Sequence, residues 1–370
     1  MFLALREIRH QPARFSLIVA IVSLVALLSF FLCALAIGLA HSYRAAVDQW
    51  DSSAVVLTDA SNSSLAASRL TPEQVDAAAA AAQNEGLTAT ALIAQGAVIE
   101  RVGQSGPDAA RTNVYAFGTD LDSPLAPAVV EGSRISDPAH EVLLDDSLAS
   151  EGWAVGDTLT IAGTEHEWRV VGFTHDVTFQ ATGVLTVDAE ALAEATSTAL
   201  PTVPNAVVLS GADWPEVPAS LTDALGDAGL TALSPADFVN ELPGYSAQVL
   251  TFSLMIIALI LIAALVLAIF IYVLTLQKRA VLGVLKARGV PTAYLVASGC
   301  LQTAVLAATG VAIGLGLTLL AGLVLPDAVP FMSSPPLIAA ITGAFILFAV
   351  LGGLISVRAV ARIDPVEAIA

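Results

Sequence analysis

Residues 242–278 read LPGYSAQVLTFSLMIIALILIAALVLAIFIYVLTLQK, and no charged side chain lies between Glu241 and Lys278. A helix needs about 20 apolar residues to cross the hydrocarbon core of a bilayer. This window therefore holds one transmembrane helix, placed at 247–276. The same reading applied outward finds two more windows. None of the residues between Arg14 and Arg44 is charged, which places a span at 15–41. Between Arg288 and Arg358 only Asp327 is charged, and the window is long enough for two spans, at 293–324 and 336–357. The break between them, PDAVPFMSSPP, carries four prolines and two serines. Such a segment suits a short outer turn at 325–335, because proline interrupts helical hydrogen bonding and bare backbone is not tolerated in lipid. The run from Phe15 to Ala40 is too long for the apolar core of a signal peptide and is read as a retained helix.

Charge gives the orientation. The 370 residues are 56% hydrophobic and 13% charged, where soluble chains carry about a quarter charged. The formal charge of −18 is unevenly spread: 29 of the 33 acids lie between residues 42 and 245, with only 6 of the 15 bases. The remaining bases flank the spans. Arg6, Arg9 and Arg14 precede the first, Lys278, Arg279, Lys286 and Arg288 separate the second from the third, and Arg358 and Arg362 follow the fourth. With four spans these segments share one side, and the positive-inside rule makes it the cytoplasm. The expectation is thus a multi-pass plasma-membrane protein with cytoplasmic segments at 1–14, 277–292 and 358–370. The large domain at 42–246 is then extracellular.

That domain alternates strand-like pieces (SAVVLT, TALIAQGAVI, NVYAF, HEVLLD, EWRVVGF, GVLTV, NAVVL) with alanine-rich helical ones, so its expected class is α+β. In TPEQVDAAAAAAQNEG, Thr71 is placed as N-cap, Pro72 and Glu73 in the first turn, and Gly86 as C-cap. GDTLTIAGTEHEWRVVGF reads as a hairpin in a small β-subdomain. Cys33 and Cys300 lie inside apolar runs and are read as small buried hydrophobes, with no disulfide framework.

Enzyme chemistry finds little purchase. Neither lysine, Lys278 or Lys286, completes the phosphate-binding G-x-x-x-x-G-K-[ST] loop, so ATP, if it drives this protein, is bound by another polypeptide. His140, His166 and His175 lie near Asp145, Asp146, Glu165, Glu167 and Asp176 in sequence, but H-E-x-x-H is incomplete and no G-x-S-x-G elbow occurs. These histidines are read as surface residues; no catalytic residue, no metal site on the protein alone and no intrinsic cofactor are assigned.

The connection LQKRAVLGVLKARGVPTAYL sets bases at 278, 279, 286 and 288 around apolar residues at 281, 282, 284 and 285. A helix there has a basic and an apolar side at the membrane surface, fitting a plain anchor or an extension that turns at Gly289 and Pro291. This run resembles the cytoplasmic connection of the MacB/FtsX-like ABC permeases. RAVARIDPVEAIA resembles the tail of that family, MFLALREIRHQPARFSLIV its start, and EVLLDDSLASEGWAVGDTLTIAG the opening of its β-subdomain. The order of all four carries the resemblance across essentially the whole chain.

The resemblance implies a homodimeric permease in the lipid bilayer, working with two copies of a separate cytoplasmic ATPase that binds ATP and magnesium. Motor closure would be relayed mechanically to the outer domains. It assigns the ATPase-facing surface to Lys278, Arg279, Lys286, Arg288 and Gly289 and to Asp364, Pro365 and Glu367. No nucleic-acid partner is expected. Size and layout resemble the haem-exporter permeases of the HrtB type, making haem the expected cargo. A macrocycle in the outer leaflet with an iron needing a ligand points to His41, Tyr43, Glu241 and Tyr245 at the outer helix ends and to Met255, about 15 Å further in. Interface tyrosines also belong to aromatic belts, and His41 also ends a helix. Two other outcomes share the architecture: an FtsX-like signalling permease that activates a cell-wall hydrolase, and a permease that extracts lipid or lipoprotein.

Overall fold

The computed structural model describes residues 12–103, 111–196, 201–213, 217–277, 288–326 and 329–361. In chain order the elements are α1 (Pro12–Gln49), β1 (Ser52–Thr58), α2 (Pro72–Asn84), β2 (Thr88–Arg101), β3 (Arg111–Thr119), β4 (Val129–Gly132) and β5 (Glu141–Asp145). There follow β6 (Thr158–Ile161), β7 (Glu167–Thr174), β8 (Thr178–Phe179), β9 (Thr182–Asp188), α3 (Ala189–Thr196), β10 (Ala206–Ser210), α4 (Ala219–Gly226), β11 (Leu230–Leu233) and α5 (Pro235–Asn240). Three long helices follow among the described residues: α6 (Tyr245–Gln277), α7 (Thr292–Gly322) and α8 (Pro335–Ala361). They divide into two units, Leu39–Gln248 and a second made of Met1–Gly38 with Val249–Ala370.

Among the described residues, three helices are long and apolar enough to cross a bilayer: Phe15–Gln49, Tyr245–Val266 and Ala297–Gly322. The fourth apolar stretch, Pro335–Leu351, is shorter. On α1, Phe15, Ile18, Val22, Ala26, Phe30 and Cys33 recur every three or four residues, the spacing of one helix face. That face packs against Leu306, Ala307 and Val311 of α7 and joins Ile341, Phe345 and Ala349 of α8 in one core. Small residues set how closely α1 and α7 approach. A Cβ on Gly310 would lie 2.7 Å from Val22 Cγ1, and one on Gly314 2.7 Å from both Ala26 Cβ and Ser23 O. Thr318 Oγ1 donates to Leu27 O at 3.3 Å across the same contact. The glycine-rich stretch of α7 therefore packs within the chain. By contrast, among its described side chains α6 buries only Ile260 and Ala263 in this core and leaves Leu250, Leu254, Met255, Ile257, Leu261 and Leu265 exposed. The proline-rich turn folds onto α1, where Met332 N donates to Ala34 O at 3.1 Å and Phe331 meets Phe31 with ring centroids 5.7 Å apart. Cys33 is buried, and Cys300 half-buried.

The other unit is built on a sheet of order β11-β1-β10-β2-β3-β9-β5-β7-β4. Because β6 pairs with both β2 and β7, the circuit β2-β3-β9-β5-β7-β6 closes on itself as a small barrel. Alternate residues point inward: Val142 and Leu144, Leu159 and Ile161, Trp168 and Val170, Leu185 and Val187. The expected hairpin is β6–β7, paired from Thr158↔Arg169 to Thr160↔Glu167. Beyond the barrel, β11, β1, β10 and the first half of β2 form an antiparallel sheet covered on both faces. Ala54, Val56, Val207 and Leu209 meet α2 and α4, while Val55, Leu57, Ala206 and Val208 meet the end of α1 and α5. Coverage on both faces explains why β1 and β10 read as continuous apolar runs and not as alternating ones.

Local signals behave as capping chemistry dictates. Thr71 is the N-cap of α2 in a capping box with Gln74, and Pro72 starts the helix. The C-cap itself is Glu85, one residue earlier than the expected Gly86, which follows it at φ +75°. The short elements β4, β8, β11 and α4 lacked a sequence pattern of their own, whereas α5 carries an unread one, Ser234 as N-cap with Pro235 after it.

Glu141, at the start of β5, organises the loop before it. Its Oε2 accepts from Ser136 N (2.7 Å), Asp137 N (3.0 Å) and Ser136 Oγ (2.9 Å), and its Oε1 from Arg169 Nη2 (2.6 Å). The backbone amides of Ser136 and Asp137, followed by Arg169, hold the carboxyl at about 2, below its ordinary 4.5. A depressed carboxyl stabilises the fold in full above its unfolded value, and that contribution disappears as pH falls toward the folded one. Thermal melts between pH 5 and pH 2 are therefore expected to show a loss of stability in wild type that Glu141→Gln flattens. Parallel curves for the two proteins would show that the contacts carry no net stability.

Candidate functional site

The last turns of α1, the end of α5 and the start of α6 bring four of the five proposed ligand positions into the same unit. His41, Tyr43 and Tyr245 are half-buried, and Glu241, the C-cap of α5, is exposed. Tyr43 and Tyr245 are neighbours, their ring centroids 6.1 Å apart at 48°. Arg44, between them and the end of α1, is held by Asp48 through Nε (2.9 and 2.8 Å) and Nη2 (2.6 Å) and interacts with Tyr245 as well. Met255 lies in the helical unit, exposed on α6.

His41 is engaged. Its Nε2 lies 2.6 Å from Asp176 Oδ2, and a carboxylate oxygen can only accept from a ring N–H when ionised. Nδ1 is the nitrogen left for another partner. Asp176 belongs to a segment, 174–183, that closes over the side of α1. Gln180 N donates to Tyr43 O (3.1 Å) and Ala181 N to Ser42 O (3.0 Å), while Gln49 Nε2 donates to the carbonyls of His175 (3.0 Å) and Asp176 (2.6 Å). Asp176, Gln180 and Ala181 all have positive φ, at 58°, 51° and 59°. Non-glycine residues adopt that region at a cost, so the segment is held there by the contacts it makes. His175 is paired with Asp146 Oδ2 at 2.5 Å, and that hydrogen bond raises its pKa.

Beneath this surface α1 ends in an aromatic core. Trp50 meets Phe117 (5.8 Å) and Phe238 (6.3 Å), and Phe117 and Tyr115 meet Phe179 edge-on at 5.4 and 4.8 Å. Burial pushes the Tyr115 phenol up. Asp176, Gln180 and Trp50 were missed by sequence reasoning. Trp50 alone carried a signal, being a large apolar residue at the end of an apolar helix.

Among the coupling positions, Arg288 and Gly289 are exposed in the turn before α7, with Gly289 at φ +87°. Lys278, Arg279, Lys286, Asp364, Pro365 and Glu367 lie outside the described residues. No group of three or more histidine, cysteine or acidic side chains among the described residues is arranged to hold a metal ion.

Residues 253–365 match the FtsX-like permease C-terminal family. Over its full length the chain is 24% identical to a Staphylococcus haemolyticus protein carrying the name hemin transport system permease protein HrtB, covering 99% of that relative. A Staphylococcus epidermidis protein of the same name is 26% identical over 369 residues, again with 99% covered. Residues 253–365 thus form an FtsX-like permease domain, and the chain as a whole is similar to the MacB/FtsX-like permeases. These matches and the long apolar helices support an ABC transporter permease in the membrane. Against solved structures, the permease aligns with the periplasmic region of MacB from Actinobacillus actinomycetemcomitans over 50% of its length and 89% of that chain, at 11% identity and TM-score 0.33. The extracellular domain of the noncanonic ABC-type transporter YknZ from Gram-positive bacteria aligns over 49% and 99%, at 12% identity and TM-score 0.36.

Proposed function

We propose that this permease is the membrane half of an ATP-driven exporter of the mechanotransmission type, extruding haem or another amphipathic compound from the outer leaflet. The observation that carries the cargo is the end-to-end match to relatives named for hemin transport. The neighbouring phenols of Tyr43 and Tyr245 support it, since phenolate oxygen is an established haem-iron ligand. His41 enters as a ligand through Nδ1 or by leaving Asp176.

In this reading all four apolar helices cross the membrane, both termini are cytoplasmic and the β-rich domain is outside. The missing phosphate-loop lysine makes a separate ATPase the engine. It docks on 277–292 and on the tail at 364–368. The uncovered apolar length of α6 supports association with a second copy.

The test is haemin titration of the purified permease. A Soret shift is expected, weakened by Tyr43→Phe, Tyr245→Phe, His41→Ala or Glu241→Ala. An unchanged wild-type spectrum in both detergent and nanodiscs sinks the haem reading. Co-purification with an ATPase whose turnover depends on the permease tests the exporter reading separately.

A further inference from the structure

His140 and His166 lie on the barrel, away from the His41 site. His140 directly precedes β5, and His166 sits in the β6–β7 turn. Their rings stack with centroids 5.6 Å apart and planes at 16°. His140 Nδ1 lies 3.0 Å from Asp137 Oδ2. His166 Nε2 lies 2.7 Å from the carbonyl oxygen of Ala139. A carbonyl only accepts, so His166 Nε2 carries the hydrogen and Nδ1 the lone pair. The ionised Asp137 likewise draws the hydrogen of His140 onto Nδ1 and leaves its lone pair on Nε2. Each imidazole is thus oriented through one nitrogen and offers the other, the arrangement found where a carboxylate or backbone carbonyl supports a metal-bound histidine.

The loop holding these groups is built. Ala139 N donates to Asp137 Oδ1 (3.2 Å), Glu141 N to Asp137 O (3.0 Å) and Arg169 N to His140 O (2.8 Å), and Glu141 ties down Ser136 and Asp137. Two rings sharing an ion can have centroids up to about 6.4 Å apart, given metal–nitrogen bonds of about 2.0–2.1 Å. The observed separation falls inside that limit. Turning both lone pairs onto one ion takes a rotation about χ2, whose well is broad, and this stretches the bonds to Asp137 and Ala139; His140, largely exposed, has room for it. Glu165 and Glu167, exposed on either side of His166, add negative charge.

The geometry points to a two-imidazole site at His140 and His166 for a borderline divalent transition-metal ion, copper(II), nickel(II) or zinc(II), with water completing its coordination. Imidazole nitrogen selects such ions over magnesium or calcium. Centroids 5.6 Å apart are closer than the roughly 6.4 Å that two trans imidazoles on one iron require, which separates this site from the proposed cargo.

The experiment titrates the tag-free full chain in detergent with CuCl2 and NiCl2, reading heat and tryptophan fluorescence. One saturable equivalent is expected. Copper is expected to quench Trp168, whose ring lies 4.4 Å from that of His166. His140→Ala and His166→Ala should each weaken binding at least about 10-fold, the scale seen even for loss of an outer-shell partner. Trp168→Phe should keep the heat and lose most of the quenching, and His175→Ala should change neither. No saturable binding in wild type, or the same stoichiometry and quenching in the His140→Ala/His166→Ala double variant, overturns the assignment. Haemin titration of that double variant is expected to match wild type whether or not the haem reading survives.

Discussion

Gly314→Leu is expected to destabilise the helical unit by about 3 kcal/mol or more, the upper end of overpacking costs. The new side chain would start 2.7 Å from Ser23 O and 2.8 Å from Leu27 N. These are backbone atoms of α1 and cannot swing aside as a flexible side chain would. The only relief is to push α1 off α7, which also breaks the Thr318–Leu27 hydrogen bond. Gly316 is the control. Two residues on, it faces open space, and a Cβ there would meet nothing within 4 Å. Gly316→Leu gains helix propensity of up to about 1 kcal/mol, and its Cβ meets no neighbour within 4 Å. Melting temperatures of the two variants in one detergent should therefore diverge, with Gly314→Leu lower. Equal values would mean that α1 and α7 do not approach as described.

Trp50→Ala is the second large expectation. Trp50 directly follows α1 and is almost fully buried among Phe117, Phe238, Val55 and Leu57. Emptying such a site costs about 3–5 kcal/mol, from lost burial plus the cavity left behind. Trp50→Phe retains most of the apolar volume and should lose less than half as much. Because Ala46 and Val47 of the same helix share this core, the loss is expected to loosen the end of α1. Amide exchange at residues 43–49 should rise in Trp50→Ala before the barrel is affected. Protection unchanged through these residues would show that other contacts hold the helix end.

The helices and most strands were legible because their signals are local. A charge-free window of twenty or more residues is a property of contiguous sequence, and so are the capping residues Thr71 and Pro72. The strands β1, β5, β7 and β10 announced themselves as apolar runs. The short β4, β8 and β11 did not, since two to four residues carry no periodicity and pair only where the sheet receives them. The site was half legible. Tyr43 and Tyr245 followed from the ends of apolar windows, whereas Asp176 on His41 did not, because nothing in a run such as THDVTFQATG tells that its backbone adopts three left-handed residues.

By itself the sequence determined which stretches are apolar enough for lipid and which are charged enough for water, and the class of permease that the chain resembles. Those follow from hydrophobicity and charge summed along the chain, and from motifs kept in order. Tertiary structure alone decided which side chains meet: the glycines of α7 against α1, Asp176 on His41, and His140 beside His166. Each pair joins segments distant in the chain, and their meeting depends on packing and register, which no local window contains.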